Sequence, residues 1–304
     1  QNFFYPFVHG KVFYFLAVSE TVIWLYFVLC LINHSWRPRL RGINFAAFLF
    51  LAAIFVASIF GVNFERSFWG AWPKMLGLFE LLHVFLLFLI LGALFRDERF
   101  RKNYLLAIFF AGIGLSALGA IQSAVPDFLR TGWGGRRVGS AFDNPDYYAS
   151  VIIFPLFIGI YLFIKSAARR KIYFLGGLLL IAYNLLFTQA RGAVAASLFG
   201  VFIILAYCSF KNYRAGMLSV PKATPSVAAQ KSRAFLTRFL IFLAAIAVLI
   251  GSVWLISSFS GGRFSPGAIK HDLLESSRLL TWQAGLRGFF AHPILGWGYQ
   301  NFNA

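Results

Sequence analysis

Arginine is the residue type best placed to do chemistry in this chain. Thr188-Gln189-Ala190-Arg191-Gly192 lies between two apolar runs and is too short for a free loop. Arg191 is therefore expected at the end of a tight helical hairpin near a membrane interface. A guanidinium is costly there unless it snorkels to lipid phosphate or meets a partner. A second stretch is Gly132-Trp-Gly-Gly135-Arg136-Arg137-Val-Gly139-Ser-Ala-Phe-Asp143-Asn144-Pro145-Asp146. Its glycines let backbone approach a ligand, and paired arginines beside exposed N–H groups suit an anion such as a diphosphate. The alternative is a turn in which Asp143 or Asn144 caps the following helix.

A third stretch runs from Glu275 through Arg278, Trp282, Arg287 and His292-Pro293-Ile-Leu-Gly296-Trp-Gly298 to Phe302. Ser276 or Ser277 can cap a helix, and Pro293 should end it near His292. Leu279, Trp282, Leu286 and Phe289 then share one apolar face. Arg278 and Trp282 sit one turn apart, whereas Arg278 and Arg287 point to opposite sides. Taken alone, this is an amphipathic helix on a membrane surface with a Gly/Pro turn behind it.

The elements that must position these arginines are apolar. Of 304 residues, 60% are hydrophobic and 12% charged, and the mean hydropathy is +0.73. A soluble domain of this size cannot hide so much apolar surface, so the bilayer is the expected solvent. The fold class is all-α, a polytopic helical bundle. Segments near 13–32, 44–62, 75–95, 104–125, 147–164, 172–187, 193–210 and 239–259 meet the roughly 20 residues that a spanning helix needs. Residues 1–259 form the transmembrane region, and 260–304 begin a large external loop.

The net charge of +18 lies mostly in short runs between apolar segments. That pattern fits topogenic charge and anionic headgroups, and it argues against nucleic acid. Arg37, Arg39 and Arg41, then Arg96 to Lys102, Lys165 to Lys171, and 211–238 mark cytoplasmic loops. The intervening connections, and the stretch after 259, are expected outside. The connection at 63–74 is read as an outer loop anchored by Phe68, Trp69 and Trp72, with no chemistry. Gln1 is an awkward start for an N-terminus outside, and Ala304 falls inside the loop. The sequence is therefore expected to be a piece of a longer protein, inactive alone.

The Arg278-x-x-x-Trp282 … His292-Pro293-x-x-Gly296-x-Gly298 arrangement after an apolar segment resembles the O-antigen ligase and O-antigen polymerase superfamily. Gly139-Ser-Ala-Phe-Asp143-Asn144-Pro145 is similar to that family's Gly-x-Phe-x-Asn-Pro-Asn segment, with Asp146 at the last position in place of Asn. Ala190-Arg191-Gly192 is similar to its Ser/Ala-Arg-Gly step. The resemblance implies a multi-pass bacterial inner-membrane glycosyltransferase working on the periplasmic face. Its donor would be an undecaprenyl-diphosphate-linked glycan, and its acceptor lipid A–core or a similar group. Polymerases and protein O-oligosaccharyltransferases of the superfamily share the pattern. Arg191 and Arg278 would then be catalytic, steadying the leaving diphosphate without a metal. Arg136, Arg137, Asn144, Trp282 and His292 would contact substrate. The general base expected from the family is a His in the later part of the loop, beyond Ala304. His292 itself reads first as a helix-end residue.

Other chemistries find little here. The histidines have no metal-ligand spacing, and no cofactor is expected. Gly296-Trp-Gly298 lacks the βαβ context of a dinucleotide site. Cys30 and Cys208 fall inside apolar segments. A transporter or exporter of lipid-linked glycan would need ionisable residues within its helices. Glu20, Glu80 and His83 come nearest and do not line up as a relay in the sequence.

Overall fold

In the computed structural model the described residues are 6–71, 75–125, 128, 137–142, 144–218, 251 and 277–301. Their regular structure is helical: α1 (Pro6–Ile32), α2 (Ile43–Ile59), α3 (Phe64–Trp69), α4 (Leu78–Leu94), α5 (Glu98–Ala124), α6 (Pro145–Lys165), α7 (Ala168–Phe187), α8 (Arg191–Leu218) and α9 (Ser277–Ala291). Short 3-10 turns occupy His34–Trp36 and Ser140–Phe142.

Among the described residues, four stretches are long and apolar enough to cross a membrane: Gly10–Ile32 within α1, and the whole of α5, α6 and α7. The helices α2 and α4 have 17 residues each. At about 1.5 Å per residue they reach ~26 Å, short of a hydrocarbon core of about 30 Å. The apolar part of α8 covers Arg191–Ile204. Apart from Gly251, the expected segment at 239–259 and the start of the expected loop at 260–276 lie outside the described residues.

Several expected boundaries move for local reasons. α1 begins at Pro6. The segment expected at 75–95 starts at Leu78, because Met75 has φ +51° and Gly77 is extended. The segment expected at 44–62 stops at Ile59, and Val62 N–H leaves the helix to donate to Trp297 O at 3.0 Å. α5 reaches back to Glu98, taking Arg99, Arg101 and Lys102 into its first turns. The Asp97 carboxylate accepts Phe100 N–H at 2.8 Å there, as a helix cap does.

The chain divides into two units, Gln1–Leu105 with Leu273–Ala304, and Leu106–Asp272. In the first, α4 packs against α1, α2 and α3. Arg96, just past α4, donates to Ser35 O and Arg37 O, each at 3.0 Å. Tyr26 Oη donates to Trp36 O at 2.5 Å. Apolar side chains such as Phe13, Trp24, Ile32, Phe50 and Phe60 point outward. Outward apolar surface on this scale is what lipid covers.

The second unit has the buried core: Phe109, Val138, Tyr148, Ala149, Ile152, Leu156, Ile181, Leu185 and Val194. Its helices approach closely at small residues, the usual basis of helix packing in lipid. A Cβ at Gly112 would lie 2.3 Å from Pro155 Cβ, and one at Gly159 would lie 2.4 Å from the Phe109 ring. Pro155 stands inside α6, so the carbonyl one turn before it has no helical donor.

Candidate functional site

The Arg191 hairpin is built in the second unit from the end of α7. Thr188 is fully buried; its hydroxyl donates to Leu185 O at 2.7 Å and accepts Ala190 N–H at 3.2 Å. Gln189 takes φ +53°, a left-handed residue that reverses the chain. α8 then starts on Arg191, which is half-buried. The expected tight hairpin with Arg191 at its end is what the structure contains.

The last carbonyls of a helix have no partner within it. At α7 they are taken from outside: Arg137 Nε–H donates to Thr188 O at 2.7 Å, and Val138 N–H to Phe187 O at 3.3 Å. A guanidinium at a helix C-terminus is electrostatically favourable. The same guanidinium reaches Asp146 through Nη2 at 2.6 Å. Asp146 sits in the first turn of α6, where a negative charge is favoured. This gives Asp146 a use: its charge partners Arg137, which an asparagine at that position could not do. Asn144 caps α6, its Oδ1 accepting Asp146 N–H at 2.9 Å and Tyr147 N–H at 3.4 Å. Arg137 and Asn144 thus hold the α7 end and the α6 start, leaving Arg191 as the described arginine that heads a helix here. Arg136 and Asp143 lie outside the described residues.

Under this hairpin is a buried polar layer that the sequence reading passed over. Gln122 Oε1 accepts both Gly139 N–H at 2.9 Å and Ser140 N–H at 2.8 Å. Ser140, at φ +49°, donates its hydroxyl to Leu115 O at 2.7 Å. Asn184 Nδ2 donates to Ser116 O at 2.8 Å and Leu180 O at 2.9 Å. The signal was present, because Gln122 and Asn184 are single amides inside apolar runs, where an unpaired amide is expensive. Gln122 fixes the Arg137-to-Phe142 strap over α5, and Asn184 ties α7 to α5 through Ser116 O.

The His-Pro turn belongs to the first unit. α9 ends at Ala291, one residue before His292, as Pro293 requires. The His292 ring stands edge-on to Trp297, centroids 4.2 Å apart, and Trp297 Nε1–H donates to Gly288 O at 3.0 Å. His292 therefore packs as a helix-end residue. Trp282, Leu286 and Phe289 are 72%, 58% and 56% exposed, so the α9 apolar face is open outward. Arg278 lies in the first turn of α9, and its side chain is outside the described residues.

Beyond the turn, Gly298 (φ +89°) lays the chain on the connection after α2. Ser67 Oγ donates to Tyr299 O at 2.7 Å, and Tyr299 N–H donates to Ser58 Oγ at 3.3 Å. Asn301 Nδ2 lies 3.1 Å from Asn63 O, Ser67 Oγ and Trp297 O. Gly61 is required, since a Cβ would sit 2.6 Å from Trp297 O and 2.7 Å from Gly298 Cα. The connection at 63–74, to which the sequence reading gave only membrane anchoring, receives this C-terminal turn on α3. Asn301→Ala removes the amide that gathers three acceptors, a loss of about 2–3 kcal/mol at this contact. Limited proteolysis near Gly296–Asn301 should then run many-fold faster than in the parent, with α6 and α7 equally resistant in both.

Glu20 and His83, far apart in sequence, meet between α1 and α4 with His83 Nε2 at 3.6 Å from Glu20 Oε1, a pair and not a relay. Their separation in sequence hid a register that only helix packing sets. No protein-family model, curated protein or solved structure matches this chain.

Proposed function

We propose that this protein is a bacterial inner-membrane glycosyltransferase of the O-antigen ligase type, acting on the periplasmic face without a metal. An acceptor hydroxyl, on lipid A–core or a similar group, attacks the anomeric carbon of a glycan carried on undecaprenyl diphosphate. The anomeric C–O bond to phosphate breaks, and undecaprenyl diphosphate leaves with the electron pair. The hydroxyl proton passes to a base, which the family resemblance puts in the loop beyond Ala304. Negative charge grows on the leaving phosphate, which a permanently charged planar guanidinium stabilises.

The observation that carries this reading is Arg191 as first residue of α8, on a turn whose backbone Thr188 and Arg137 hold fixed. A helix N-terminus adds its own partial positive charge. Arg278 is the second catalytic arginine of the proposal. Arg136, Arg137, Asn144, Trp282 and His292 are the proposed substrate contacts. Polymerase and protein O-oligosaccharyltransferase activities use the same donor chemistry with another acceptor.

The test uses purified full-length protein with an undecaprenyl-diphosphate glycan, with and without lipid A–core, and products sized by mass spectrometry. Product that requires lipid A–core supports a ligase. Lengthening of the donor alone identifies a polymerase. No new glycosidic bond with intact donor and either lipid A–core or protein acceptor rejects the transferase reading. A transporter or exporter of lipid-linked glycan is favoured by one observation, the Glu20–His83 contact between apolar helices.

A further inference from the structure

The α3 connection holds a cleft of about 330 Å³ lined by Asn63, Glu65, Arg66, Trp69, Gly70 and Ala71, at the small end of the range of ligand pockets. These residues all belong to the first unit. Gly70, at φ +87°, turns the chain here, and a Cβ on it would lie 2.5 Å from Leu76 N. The Asn63 side chain is spent on capping α3 through Arg66 N–H, and its carbonyl accepts from Ser67 and Asn301. Glu65, Arg66 and Trp69 are left with unspent polar groups among the described residues.

Glu65 and Arg66 line one cleft yet do not pair with each other. The ion pairs of the described residues are His83–Glu20, Arg101–Glu98 and Arg137–Asp146. Arg66 is half-buried, and its Nε is shielded from water without a hydrogen-bond partner, so part of its desolvation is uncompensated. Glu65 is exposed. Trp69 packs on Phe68 and Phe79, centroids 4.8 and 5.5 Å away, which fixes its ring, while 48% of it stays exposed. A ligand carrying only negative charge would suit Arg66 and be opposed by Glu65, and a simple cation would meet the reverse. A small zwitterion suits both, with a phosphate accepting from the guanidinium and a primary ammonium donating to the carboxylate.

The position of the cleft names the source of such a group. α3 joins α2 and α4, two apolar helices of 17 residues each. A bilayer crossed by helices this short thins beside them or takes the α3 corner into its headgroup layer. Phe60, Val62 and Phe64 are exposed around that corner, and an exposed indole is at home at headgroup depth. We infer that the α3 cleft binds the headgroup of a phospholipid that carries a phosphate and a primary amine, as phosphatidylethanolamine does. Arg66 takes the phosphate, Glu65 takes the ammonium, and Trp69 offers its N–H to the ester region. The site lies beyond the transfer reaction proposed above and does not depend on it.

The test is native mass spectrometry of the purified full-length protein with phosphatidylethanolamine, phosphatidylcholine and phosphatidylglycerol of identical acyl chains. The wild type should retain the ethanolamine lipid about fivefold better than either of the others, as one exposed charge pair at the upper end of its range supplies. The choline headgroup has no N–H to give Glu65, and the glycerol headgroup leaves Glu65 facing an anion. Glu65→Gln should abolish the preference over choline and raise the glycerol lipid to the ethanolamine level. Arg66→Gln should lower ethanolamine and choline lipids alike. Neither side chain holds α3 by a bond of its own, so both variants should melt with the parent in lipid-free detergent. Equal retention of the three lipids by the wild type, or a preference for the glycerol lipid, overturns the inference without any variant. A preference for the ethanolamine lipid that persists unchanged in both variants overturns it as well.

Discussion

Arg191→Ala is expected to lower glycan transfer by about 10²–10³-fold, the loss seen when one preorganised group facing a developing negative charge is removed. Arg191→Lys should lose most of the same activity, because an ammonium keeps the charge and loses the two-pronged geometry that matches phosphate. Thr188 and Arg137 hold the turn through bonds that neither substitution touches, so folding of the two variants is read separately from transfer. Turnover of donor by the two purified variants, beside their thermal melting, is the measurement. Unchanged turnover in both would remove Arg191 from the mechanism while leaving the hairpin intact.

Gly119→Ala should be the most damaging small substitution in the second unit. Its Cβ would lie 2.1 Å from Asn184 Oδ1 and 3.0 Å from both Tyr148 Oη and Val138 Cγ1. Asn184 cannot swing aside cheaply, because its Nδ2 is held by two backbone carbonyls. Overpacking costs about 1–3 kcal/mol, and each hydrogen bond given up adds about 1 kcal/mol. A loss of about 3–5 kcal/mol is therefore expected in denaturation from lipid or detergent. Gly114 on the same helix is the control, since nothing lies within 4 Å of an added Cβ there. Gly114→Ala should be neutral or gain up to about 1 kcal/mol from helix propensity. Equal behaviour of the two variants would show that the Gly119 contact does not hold the unit together.

Local patterns in the sequence were sufficient where a single element decides the outcome. The helical class, the tight step before Arg191, the Asn144 cap and the end of α9 ahead of Pro293 all depend on neighbours within one or two turns. What failed to show were pairings between elements. Arg137 and Asp146 were each visible, but their bond to each other and to Thr188 O needs the strap to cross the α7 end. Asp146 looked like a departure from a pattern, and the structure gives its charge a partner. Gln122 and Asn184 were passed over as amides in apolar runs, because the strap that Gln122 accepts from and the α5 carbonyl that Asn184 reaches lie far off in the sequence. Glu20 and His83 could be seen as ionisable groups, though helix register alone brings them together. The short α2 and α4 were read as full spans because apolar residues continue past their ends into turns.

The contact between the C-terminal turn and the α3 connection also sets an order of events during synthesis. Asn301 Nδ2 and Asn63 O are 238 residues apart. At about 5–20 residues per second, Asn63 and Ser67 leave the ribosome roughly 10–50 s before their partner exists. Until then the α2–α3 corner is held by its own helices and by α4. A late piece of this unit therefore closes a corner made early. A ribosome pause or a truncation before Asn301 would leave that corner open while α6 and α7 have everything they need to pack.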